Sequence, residues 1–94
     1  MANLDSTIVE KEIIKSVDAV RKKFKIDAVV NGDCSPGGIG IASQVLLNVM
    51  RRLEGTLGIA IPHNCYIFHD KKTKRQLTIK EAVEKLIKNA TDGN

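Results

Sequence analysis

Ser43 is the residue whose type and setting offer the most chemistry. It closes the run Pro36-Gly37-Gly38-Ile39-Gly40-Ile41-Ala42-Ser43 and opens an apolar, helix-periodic segment. Glycines allow the backbone to turn tightly just before a helix. A serine at or beside the N-cap holds its hydroxyl among amide hydrogens that lack intrahelical partners. The positive end of the helix dipole favours a phosphate there by about 0.3–1 kcal/mol when exposed. An accessible serine esterified by a phosphodiester suits such a place. A plain helix cap, contributing about 1 kcal/mol, is the alternative use of the same residue.

The other reactive side chains form no recognised constellation. His63 and Cys65 lie close together in sequence, but His69 and Cys34 complete no zinc-type spacing. Ser43, His63 and Asp70 lack the strand-turn-helix pattern of a nucleophile elbow. Val29-Val30-Asn31-Gly32 followed by Gly38-Ile39-Gly40 is similar to the glycine turn of short-chain dehydrogenases. Five residues rather than three separate Gly32 from Gly38, however, and no acidic residue follows a second strand to bind a ribose. No catalytic or metal site is expected. Cys34 and Cys65 show no CxxC pairing and are expected to be reduced thiols.

Three periodic segments must position Ser43. Val9, Ile13, Val17, Val20 and Phe24 recur at helical spacing, predicting a helix over about residues 7–25, with Thr7-x-x-Glu10 as its capping box. Leu46, Val49, Met50, Leu53 and Leu57 predict a second helix over 43–57, ended by Gly55 and Gly58. Ile59-Ala60-Ile61-Pro62 reads as an extended exit, since the residue before proline avoids helix. Thr78-x-x-Glu81 is a second capping box, with Leu77 as staple residue. Ile79, Val83, Leu86 and Ile87 form the buried face of a last helix ending near Asn89. Residues 26–42 read as a long loop, which in so small a domain points to function. Tyr66-Ile67-Phe68 and Gln76-Leu77 form a candidate hairpin around the basic run 71–75, and residues 91–94 read as a frayed tail.

Ninety-four residues suffice for one domain, 1–94, with one core. With aromatics at 3%, that core must be aliphatic, which favours a helical bundle. The expected fold is all-α: a small bundle of three to four helices with a long loop between the first two. No stretch is long and apolar enough to span a bilayer, and the N-terminus lacks a signal-peptide profile. A cytoplasmic monomer is expected.

Ile39-Gly40-Ile41-Ala42-Ser43 resembles the Leu-Gly-x-Asp-Ser entry to the second helix of acyl and peptidyl carrier proteins. In unbroken register, residues 49–62 resemble that family's Val-x-x-Leu-Glu-x-x-Phe-x-x-x-Ile-Pro, and 77–83 resemble the start of its final helix. The resemblance implies a carrier-type bundle that is not itself an enzyme. It implies that a phosphopantetheinyl transferase loads Ser43 with 4'-phosphopantetheine from coenzyme A. Cargo would then ride as a thioester, with acyl-transferring or synthase enzymes of fatty-acid, polyketide or related biosynthesis as partners. Leu46, Leu47, Met50, Ile61 and Val83 become candidates to contact an acyl chain, against a reading as plain core. Ala42 stands where the family carries Asp, Gln44 where it carries Leu, and Arg51 and Arg52 replace its acidic second helix. These departures imply a specialised carrier with its own partners, or a carrier-like domain that stays unloaded.

The net charge of +4 supports a competing reading. Arg21, Lys22, Lys23, Lys71, Lys72, Lys74 and Arg75 suit a basic interaction module for nucleic acid or an acidic protein. The scarcity of aromatics to stack on bases weighs against nucleic acid.

Overall fold

The computed structural model describes residues 4–92. Asp5 starts the first helix, α1 (Ser6–Lys23): its backbone is extended and its carboxylate accepts the Thr7 amide at 2.8 Å. The Thr7-x-x-Glu10 box is therefore not the start. A carboxylate two residues upstream takes the orphan amide and draws Thr7 into the helix. Val9, Ile13 and Val17 are fully buried as the periodicity predicts. Phe24 is not part of that core; it caps α1 and remains 54% exposed. Lys25, at φ 55°, then turns the chain away.

The long loop is stitched to the far end of the molecule. The Cys34 carbonyl accepts the Ile79 amide at 2.9 Å, and the Gly32 carbonyl accepts the Lys80 amide at 3.0 Å. Two first-turn amides of α3 (Ile79–Asn89) thus find acceptors in the loop. Gly32 lies so close beneath the Lys80 side chain that a Cβ would meet its Cε at 2.8 Å. The expected Thr78–Glu81 capping box is present in both directions. Much of the loop is therefore structural, and its second half shapes the entry to the next helix.

That helix, α2, spans Ser43–Leu57, with Leu46, Val49, Met50 and Leu53 buried. Gly58 ends it in the left-handed region, at φ 65°. The chain enters β1 (Ile59–Ala60), and Ile61, Cys65, Ile67 and Phe68 then drop into the core. β2 (His69–Asp70) pairs antiparallel with β3 (Arg75–Gln76), with His69 opposite Gln76. This is the expected hairpin, with its strands nearer the basic turn; Leu77 N donating to Phe68 O at 2.9 Å lengthens it by one bond.

The tail is not frayed up to residue 92. β4 (Thr91–Asp92) pairs antiparallel with β1, fixed by Ala90, which is buried at the end of α3. α1 lies between the other two helices and packs on both. A single apolar cluster draws on all three helices and on the chain between β1 and β2. The domain is mostly helical; the hairpin before α3 was expected, whereas the β1–β4 ribbon corrects the all-α expectation. Backbone pairing satisfies amides and carbonyls that no fourth helix takes up.

Candidate functional site at the start of the second helix

Ser43 is the first residue of α2, and it is exposed. Ala42 is the N-cap, at φ −64° and ψ 146°, and supplies no side-chain cap. Its carbonyl accepts the Val45 and Leu46 amides at 3.0 and 3.1 Å. The Ser43 and Gln44 amides find no acceptor among the described residues. The helix start is therefore bare, with a hydroxyl beside two amide hydrogens open to solvent.

The glycine-rich run is a tight double turn that delivers the chain to this point. Ile39 N donates to Ser35 O at 3.1 Å and Ile41 N to Pro36 O at 3.3 Å. Gly40 sits at φ 102°, a conformation that a side chain disfavours. Ile41 turns inward and is 5% exposed, anchoring the residue before the cap. Sequence spacing located this construction; the loop hydrogen bonds that hold it were not legible.

Leu46, Met50, Ile61 and Val83, considered as acyl-chain contacts, are members of the packed core. Leu47 alone of that group is exposed, at 38%. Arg51 is also committed. Its guanidinium meets Glu54 at 2.8 Å, and the other Glu54 oxygen accepts the Ile61 amide at 2.7 Å. This clasp ties the end of α2 to the extended exit and leaves Arg52 as the solvent-facing cation of the pair. Glu54 to Ile61 is a contact seven residues apart, which helical or strand periodicity does not signal.

Comparison with known proteins finds no matching family model, curated protein or solved structure.

The basic residues divide into paired and exposed. Arg21 and Lys22 both bind Asp18, whose carboxyl is held below its ordinary range chiefly by the Arg21 hydrogen bond. Arg75 binds Glu81 in two-pronged fashion, at 3.0 and 2.6 Å. Lys71, Lys72 and Lys74 project from the exposed hairpin tip. Cys34 and Cys65 are free and buried, and burial pushes both thiols up, which makes them poor nucleophiles. Among the described residues no three His, Cys, Asp or Glu side chains gather to hold a metal, and no helix is long and apolar enough to cross a membrane.

Proposed function

We propose that the chain is a carrier domain of acyl-carrier type, bearing a phosphopantetheine arm on Ser43 and cargo as a thioester on that arm. One observation carries the reading: an exposed serine opens α2 at a helix start with no side-chain cap. A phosphodiester there would meet the free Ser43 and Gln44 amides and the positive end of the dipole. An alanine at the N-cap sacrifices about 1 kcal/mol relative to Asp or Ser. The Ile61-Pro62 exit and the box-capped last helix fit the same carrier-type arrangement.

The domain itself would supply attachment and presentation, while partner enzymes supply the bond making and breaking. With Arg51 neutralised by Glu54, α2 offers neither the acidic face of ordinary carriers nor a strongly basic one. Its partners would then recognise shape and the apolar Leu47 more than charge.

The test is incubation with coenzyme A and a broad-specificity phosphopantetheinyl transferase, followed by intact-mass measurement. A phosphopantetheine-sized gain in the native chain and none in Ser43→Ala supports the proposal. No gain with several transferases refutes it.

A further inference from the structure

Phe24 should have been core by its spacing, yet the fold leaves it over half exposed. It is not an isolated surface apolar residue. Two adjoining hollows, of about 300 and 320 Å³, share Phe24 and Val45. The first is lined by Phe24, Ile26, Gly40, Ile41, Ala42 and Val45. The second continues along α2 past Asn48 and Val49 to Arg52, with Val20 and Lys23 on the α1 side. Together they form a groove between the end of α1 and the first half of α2. Val45, Asn48, Val49 and Arg52 are one helical face, so this wall is about 10 Å long.

The charged residues that line the groove have one sign, while Asp27 is exposed next to Ile26 outside the lining. Lys23 and Arg52 line it, no acidic residue does, and among the described residues neither is paired with a carboxylate. Arg52 also borders a neighbouring hollow that contains Glu12 and Lys15. The negative end of α1 is blunted, because the Phe24, Lys25 and Ile26 amides donate to its last carbonyls. Asp18, the nearest acid on that stretch of α1, is held by Arg21 and Lys22.

An elongated apolar floor with a cationic end fits an elongated amphiphile. We propose that this groove binds, non-covalently, an aliphatic chain ending in an anionic head group. The chain lies on Phe24, Ile26, Ile41 and Val45, and the head sits between Lys23 and Arg52. The site is independent of the arm proposed on Ser43, which lies about 160° around α2 from Val45. A cationic amphiphile, lacking a counter-charge, is disfavoured, and a chain without a head loses the Lys23–Arg52 attraction.

Decanoate is the probe, titrated into the isotope-labelled chain by amide NMR at low salt, with decylammonium as its cationic counterpart. Saturable shifts confined to the 20–26 and 40–52 segments are expected with decanoate and not with decylammonium. Phe24→Ala weakens binding about tenfold or more. Arg52→Glu weakens it several-fold, less so at high salt. Both positions are only partly covered, so the fold survives, as the unshifted α3 amides will show. Ser43→Ala leaves the affinity unchanged. Equal binding of decylammonium, shifts centred elsewhere, dependence on Ser43, or a concentration-dependent dimer that buries Phe24 would each overturn the proposal.

Discussion

Ala42→Asp is expected to stabilise the protein. Ala42 already has N-cap geometry, so the substitution requires no backbone change. The new carboxylate would accept a hydrogen bond from the Gln44 amide, free in the native chain, or from the Val45 amide, and would face the positive end of α2. Asp over Ala at an N-cap gives about 1 kcal/mol, with a range of about 0.5–2. For a domain of this size, about 1 kcal/mol raises Tm by roughly 4–8 °C. The assay is thermal and urea unfolding followed by helical circular dichroism at neutral pH, with unchanged m. Asp5→Ala is the mirror experiment: it removes the cap of α1 and lowers stability by a similar amount. The gain from Ala42→Asp must fade in acid as the new carboxylate protonates. A neutral or destabilising effect at pH 7 would refute the reasoning, because α2 would then not begin at a bare Ala42. Under the carrier reading, the same variant also speeds loading of Ser43, since it supplies the acid that carriers place before the serine.

Further outcomes follow from particular contacts. Glu81 is held from 4.5 down to about 2, first by the Arg75 hydrogen bond and then by the Thr78 amide. Because the folded value is the lower one, this stabilisation is present above about pH 4.5 and vanishes as pH falls toward 2. The pair is exposed, so solvent screens it and keeps its contribution small. Glu81→Gln should lower stability slightly at pH 7 and flatten the acid limb in urea titrations between these pH values. Glu54→Ala should cost about 1–3 kcal/mol by leaving the half-covered Ile61 amide without an acceptor. Glu54→Gln, which keeps an acceptor, should cost clearly less, as paired urea unfolding curves will show. Gly40→Ala should destabilise by about 1 kcal/mol or more, since its φ of 102° strains any side chain; thermal melts check this.

Helical periodicity carried far in this chain because its core is aliphatic and its stripes are uninterrupted. The bounds of α2 and α3, the Thr78–Glu81 box and the place of Ser43 were all legible from spacing. Phe24 misled because periodicity does not say where a helix stops, and Lys25 turns the chain one residue later. The β1–β4 pairing was hidden because two-residue strands carry no alternation to read. The anchoring of the loop on α3 through Gly32 and Cys34 uses backbone carbonyls, which every residue type shares. The groove beside Phe24 arises only when α1 and α2 meet.

The most direct test is the mass of the protein isolated from cells that make it, before and after hydroxylamine treatment. A phosphopantetheine adduct located on the Ser43 peptide, with cargo that hydroxylamine releases, is the predicted result. A wholly unmodified chain under conditions where its partners are active would contradict the proposal.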